Sequence, residues 1–178
     1  MTLQNNYSSN TYQPAEDTFF LADYIKNEKG SSALDIGTGS GYLAKILSQN
    51  FSLVVATDID YDSLRSYHGS QNSICCNGAD ALYHEFDLVV CNMPYLPSQE
   101  ISDKTIDGGK EGVKVPLNII ESAKNCIKKG GKILFLTSSL ANYYTLIAKT
   151  MQLGFDCSIV ARKKLFFEEL ILVQAKLL

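Results

Sequence analysis

Short apolar runs alternate with stretches of helical spacing along most of the chain. Residues 32–36, 53–57, 86–91 and 132–137 are brief runs rich in apolar side chains, as buried strands are, and 73–76 is a shorter candidate of the same kind. Between them, 42–49 places Tyr42, Leu43, Ile46 and Leu47 on one helical face. Helices are also predicted over 61–67, 115–128 and 141–151, with Gly130-Gly131 and Gly154 as stop signals for the last two. Two further strands, 155–162 and 170–176, predict a terminal hairpin. Phe166-Phe167, between them, is expected in the core. Alternating strands and helices imply an α/β fold of Rossmann-like type. It should have seven strands, mostly parallel, helices on both faces, and one antiparallel strand from the hairpin. The stretch from Pro94 to Gly112 reads as an unusually long loop, which in a compact chain is commonly functional.

Composition narrows this picture. At 178 residues the chain suits one domain, with residues 1–11 as a flexible N-terminal segment. Apolar residues make up 46% and charged residues 20%, as in ordinary globular proteins. A net charge of -3 gives no global basic surface for a nucleic-acid duplex. Lys124, Lys128, Lys129 and Lys132 read as a solvated helix end. No apolar run is long enough to span a bilayer, and the first residues lack the plan of a signal peptide. Five cysteines, none with zinc-ligand spacing, suggest reduced, buried thiols, a cytoplasmic protein and no metal site.

The candidate chemistry starts at Asp35-Ile36-Gly37-Thr38-Gly39-Ser40-Gly41, between a strand and a helix. Glycines there let the backbone approach a ligand. Asp58 ends the next strand, where a carboxylate can accept bonds from ribose hydroxyls, and Asp80 follows the third, where it could meet an adenine amino group. A dinucleotide turn would read G-x-G-x-x-G and hold a pyrophosphate. Here the spacing is G-x-G-x-G, and Asp35 would repel a phosphate but attract the cationic tail of S-adenosylmethionine. A triphosphate loop is excluded, because no Gly-Lys-Ser/Thr follows.

A second constellation is Asn92-Met93-Pro94-Tyr95, at the end of the fourth apolar run. It could be only a strand-ending turn, since Asn and Pro both favour turns. It also carries what is needed to grip a flat –NH2 group: an amide oxygen and a backbone carbonyl as acceptors, and a ring to cover the flat face. An exocyclic adenine or guanine amine on DNA or RNA and a glutamine amide both have that shape. The chain is small for extruding a base from a duplex.

In this order the motifs resemble the class I methyltransferases. Asn92-Met93-Pro94-Tyr95 is similar to the N-P-P-Y motif of enzymes that methylate planar nitrogens. Tyr12-Gln13-Pro14-Ala15-Glu16-Asp17-Thr18 resembles the Y-x-P-A-E-D-T signature of the HemK-related protein glutamine methyltransferases, in their archaeal and eukaryotic branch. Gly108-Gly109-Lys110-Glu111-Gly112 resembles their G-G-x-x-G stretch. Taken alone, Pro14 to Thr18 could simply start a helix, and Gly108-Gly109 could be a flexible loop. The resemblance implies methylation of the glutamine amide in the Gly-Gly-Gln motif of a class I translation termination factor. It implies a catalytic set of Asn92, Met93, Pro94 and Tyr95. The implied cofactor contacts are Thr18, Asp35, Gly37, Thr38, Gly39, Asp58, Ile59, Asp80, Ala81 and Asn92. It further implies a small zinc-ribbon activator protein on the edge of the third strand, at Ile74-Cys75-Cys76. The departure is Met93, where the family usually has proline. Pro94 should still keep Met93 extended, but a looser site is expected.

Overall fold

In the computed structural model of the chain, residues 14–65, 72–100, 102–103 and 105–178 are described. The proposed N-terminal segment 1–11 and the motif residues Tyr12 and Gln13 lie outside them.

The apolar runs become strands of one sheet. These are β1 (Gly30–Ile36), β2 (Phe51–Asp58), β3 (Ser73–Cys75), β4 (Phe86–Asn92) and β7 (Ile127–Ser138), followed by β8 (Phe155–Lys164) and β9 (Glu169–Leu177). The order is β3-β2-β1-β4-β7-β9-β8. All pairings are parallel except those of β9, which runs antiparallel to both neighbours. Register brings the carboxyl ends level: Ile36 lies beside Thr57 and Cys91, and Asp58 beside Cys75. Those ends form one rim.

Alternate strand residues face opposite sides of the sheet, and each side has its own core. Leu34, Ile36, Val89 and Cys91 pack with Ile120 and Ala123 of α4 (Lys114–Lys124) and Leu146 of α5 (Tyr143–Gln152). Ala33, Leu88 and Val90 pack with Leu21 and Ile25 of α1 (Glu16–Ile25) and Leu43 and Leu47 of α2 (Tyr42–Leu47). Burying each large side chain contributes about 1.5–3 kcal/mol. A short α3 (Tyr61–Arg65) follows β2. None of the described helices is long and apolar enough to cross a membrane.

Several expectations are corrected. Gly130-Gly131 does not stop a helix. The helix ends at Lys124, and both glycines lie inside β7. Gly130 takes φ 78°, and a Cβ on Gly131 would fall 2.9 Å from Lys128 O and 3.0 Å from Phe86 O. The pair therefore bends the strand where its pairing with β4 shifts register. Phe166-Phe167 is not core: the rings are 93% and 85% exposed at the β8–β9 turn. Of the five thiols only Cys91 and Cys126 are buried, while Cys75 is exposed and Cys76 and Cys157 are half-buried. The stretch after Pro94 is not structureless. It pairs β5 (Leu96–Pro97) with β6 (Asp107–Gly109) and closes with a 3-10 turn at Lys110–Gly112.

Candidate active site

The carboxyl ends of β1, β2 and β4 open into a cavity of about 990 Å³. Its floor is the glycine turn. Gly37, Gly39 and Gly41 all have positive φ, and no atom lies within 4 Å of where a Cβ on Gly37 would sit. The backbone is thus bare toward the cavity, which Gly37, Thr38 and Gly39 line. The turn is fixed from β2: Gly37 N and Thr38 N donate to Thr57 O at 2.8 and 3.0 Å, and Gly39 N donates to Asp58 Oδ2 at 2.8 Å. Asp58 Oδ1 accepts from Asp60 N at 2.9 Å. Each carboxylate oxygen keeps a further lone pair for a ligand, and Asp58 and Ile59 both line the wall.

Asp35 sits behind this turn and is fully buried. Its Oδ2 accepts from Thr38 Oγ1 at 2.7 Å and Ala44 N at 3.0 Å, while Oδ1 has no partner among the described residues. Burial pushes the carboxyl up to about 6, the two hydrogen bonds pull against that, and the charge of Asp58 adds to it.

Across the cavity, Asn92 ends β4. Its Nδ2 donates to Thr18 Oγ1 at 3.2 Å, so α1 and β4 meet at two of the expected residues. Asn92 Oδ1 is shielded from water and accepts from no donor among the described residues, although the residue lines the cavity. Met93 has its side chain 2% exposed in the core beside Ile36 and Val113. That packing fixes the backbone where a proline ring is missing. Tyr95 packs against the buried cluster that α1, α2 and the sheet share, as Phe20, Tyr24, Tyr42 and Leu165 do. Burial first, then the nearby charges of Glu168 and Asp17, push its phenol well above the ordinary range, so the hydroxyl stays neutral.

The glycines after β5 brace this motif from below. A Cβ on Gly112 would fall 2.1 Å from Tyr95 O, and one on Gly108 2.9 Å from Pro94 O. Only glycine admits that approach. Glu111 takes φ 57°, and its carbonyl and carboxylate accept from Asn142 N and Nδ2 at 2.9 and 3.2 Å.

Asp80 and Ala81 are not brought to the cavity. Both are exposed, and Asp80 Oδ2 accepts from Asn77 Nδ2 at 3.1 Å. The turn after β3 places Asn77 and Gly78 in the wall instead. Sequence reasoning missed these two, and also Asn118 and Ile119 of α4. The Asn77-Gly78 dipeptide was a turn signal that could have located the first pair. It also missed the charge of the wall. Asp17, Asp58, Asp60, Asp62, Asp103 and Asp107 line the cavity, with no Lys, Arg or His among the described lining residues. Asp107 is held below the usual carboxylate range chiefly by the N–H groups of Asp103 and Ser102.

A mostly parallel sheet in this order, with a bare glycine turn after β1, an acid ending β2 and Asn-x-Pro-Tyr ending β4, defines a class I methyltransferase. The chain belongs to the methyltransferase small domain family, whose pattern matches residues 2–167, and it is a methyltransferase. It is 31% identical over 180 aligned positions to a putative protein N5-glutamine methyltransferase of Methanocaldococcus jannaschii, covering 92% of this chain and 90% of that one. A release factor glutamine methyltransferase of Bradyrhizobium diazoefficiens is 29% identical over 56% of this chain, which spans 41% of that relative's length. In fold the chain is similar to one in the E. cuniculi Mtq2–Trm112 complex, described as responsible for methylating the eRF1 translation termination factor. The TM-score is 0.82 at 24% identity, over 94% of this chain and 99% of that one.

Proposed function

We propose that this protein methylates the glutamine side-chain amide of a Gly-Gly-Gln motif in a class I translation termination factor. The observation that carries the reading is Asn92 Oδ1, a shielded acceptor with no donor among the described residues, in a residue lining the cavity. An acceptor left in that state costs about 1–3 kcal/mol, which an incoming N–H recovers. The names of the Methanocaldococcus and Bradyrhizobium relatives and the description of the Mtq2 complex agree with that target.

The residues present fit S-adenosylmethionine as the methyl donor. The glycine turn is bare where no Cβ would meet an atom, and Asp35 Oδ1 is an orphaned buried acceptor just behind it. Gly37, Thr38, Gly39, Asp58, Ile59 and Thr18 are the residues that hold the cofactor, with Asp35 acting through the turn. The cofactor supplies a methyl already activated on a sulfonium, so the protein need not furnish a strong base. Asn92 Oδ1 and the Met93 carbonyl accept the two amide N–H groups, and the neutral Tyr95 ring bears on the flat face. Together they aim the nitrogen lone pair and favour the positive charge that develops on it.

A second reading, an adenine or guanine amine in RNA or DNA, uses the same acceptors. The six carboxylates of the wall weigh against it, because they repel a phosphate chain. The test is labelled methyl transfer to termination factor, tRNA, rRNA and DNA side by side. Transfer to a nucleic acid and not to the factor would overturn the proposal.

A small partner protein, of zinc-ribbon type, completes the proposal. β3 is a three-residue edge strand hydrogen-bonded to β2 on one side, with Ser73 and Cys75 exposed, and such edges accept another chain. Monodisperse, fully active protein expressed alone would argue against an obligate partner. The same reading keeps the enzyme in the cytoplasm, with its substrate.

A further inference from the structure

Phe166 and Phe167 stand almost wholly in solvent, ring against ring, with centroids 4.6 Å apart and planes at 77°. The turn that carries them is closed by Leu165 N donating to Glu168 O at 2.8 Å. It is anchored to the rim of the cavity on two sides. Lys163 forms an ion pair with Glu16, at the start of the helix that supplies Thr18. Glu168 lies close enough to Tyr95 for its charge to act on the hydroxyl, and Leu165 packs against the same apolar cluster as that ring. An Arg162–Glu169 pair at 2.6 Å ties the two strands just below. The aromatic pair is thus a fixed apolar surface beside the Asn92–Tyr95 wall.

We propose that Phe166 and Phe167 form the docking platform for the substrate polypeptide, receiving an apolar side chain of the termination factor that lies outside the modified glutamine. This rests on the glutamine reading above. The cavity encloses the reacting side chain, and the rest of a macromolecular substrate must cross its rim. On the hairpin side that rim presents two aromatic rings, a residue type that dominates protein interfaces. A polypeptide is favoured over a nucleic acid by the acidic wall, and because Arg162 and Lys163 are already paired with Glu169 and Glu16. Lys164 is exposed at the same turn, so base stacking on the pair is the competing outcome.

Two measurements test the platform. The first compares full-length termination factor with a short Gly-Gly-Gln peptide, using a Phe166→Ala/Phe167→Ala double variant. Its KM for the factor should rise about tenfold or more, a loss typical of an interface anchor. Its kcat on the factor, its KM for the peptide and its S-adenosylmethionine affinity should stay at wild-type values. A Phe166→Leu/Phe167→Leu variant should recover most of the loss. An unchanged KM for the factor, or an equal rise for the short peptide, overturns the proposal.

The second measurement uses the absence of tryptophan from the chain. A Phe167→Trp variant carries a single reporter, and its emission should shift to the blue when the factor is added, with the factor's own emission subtracted. A shift with RNA and not with the factor overturns the platform, as does a shift driven by enzyme concentration alone. A blue shift of the Phe167→Trp reporter with the factor, alongside wild-type protein that transfers no methyl to it, refutes the glutamine reading and leaves the platform standing.

Discussion

The two ends of the same sheet treat their polar groups in opposite ways. At the amino ends of β1 and β4, Asp87 accepts from Ser31 N and Ser32 N, both at 2.8 Å, and pairs with Lys128 at 2.7 Å. The Lys128 bond, with the two N–H groups, holds its carboxyl below the ordinary range. At the carboxyl ends, Asp35 is buried with an orphaned oxygen and its carboxyl is pushed up to about 6. The contrast extends beyond one pair. The buried side-chain oxygens without a partner among the described residues belong to Asp35, Asn92, Ser98, Thr137 and Glu168. All lie at the carboxyl ends of strands or in the loops that leave them. One end is satisfied and holds the fold, and the other carries unmet hydrogen-bonding capacity where a cofactor and a substrate enter. Such local conflict is expected at a functional site.

Substitutions at the two ends should therefore move different quantities. The largest effect is expected from Asn92→Ala. Methyl transfer should fall about 10²–10³-fold, the loss typical of removing one charge-stabilising group from an active site. Melting temperature should change little, because the loss of the Nδ2 bond to Thr18 is offset by removal of an unsatisfied oxygen. Wild-type turnover in that variant would break the contrast at its centre.

Gly112→Ala comes next. It places a Cβ 2.1 Å from Tyr95 O, at a residue with φ 67°. Overpacking of this kind costs about 1–3 kcal/mol in stability. Because Pro94 and Tyr95 must shift, kcat should fall more than tenfold while S-adenosylmethionine binding by calorimetry changes little. Equal loss of both would make Gly112 a general packing residue.

Asp35→Asn sharpens the comparison, since it should help the fold and harm the site. A carboxyl whose folded pKa lies above its ordinary 3.8 contributes stability below that value and loses it as pH rises through about 6. At pH 7 the wild-type carboxylate is therefore a burden, and the amide should stabilise by about 1–3 kcal/mol, with little gain near pH 4. Affinity for cationic S-adenosylmethionine should drop at neutral pH. In the wild type that affinity should weaken as pH falls below about 6, where Asp35 takes up a proton. A flat affinity between pH 5 and pH 8 would detach Asp35 from the cofactor.

The smallest effect is expected at the other end. Lys128→Ala removes a partly exposed ion pair, worth about 1 kcal/mol or less. Asp87, with its lowered pKa, contributes stability above its unfolded value that is lost as pH falls through the acid range. The variant should lose part of that acid-side dependence, since the Ser31 and Ser32 N–H bonds remain, and keep wild-type methyl transfer.

Much of this division was legible in the sequence. Apolar runs mark the strands because those strands are covered on both faces, and the acids and glycines at their ends mark the rim. Asp58, Thr18 and Asn92 line the cavity for that reason, while Asp35 lies buried behind the glycine turn. What was not legible depends on contacts distant in sequence. Gly130-Gly131 has the composition of a helix stop, yet it bends a strand because Phe86 and Lys128 carbonyls crowd it. Two adjacent phenylalanines read as core, yet the turn that holds them is anchored by Lys163–Glu16 and Leu165, which leaves the rings outside. Asp80 has the expected residue type and position, but Asn77 and Gly78 of the turn after β3, not Asp80, line the cavity. Met93 looked like a defect in the motif. Its side chain is an anchor, because burial in the core and the glycine brace below hold the backbone that a second proline would otherwise fix.

The most direct test is mass mapping of a class I termination factor after incubation with this protein and S-adenosylmethionine. The expected result is a single added methyl on the glutamine of Gly-Gly-Gln, absent when Asn92→Ala protein is used. Methylation elsewhere on the factor or only on nucleic acid, or an Asn92→Ala variant that labels the glutamine as the wild type does, would contradict it.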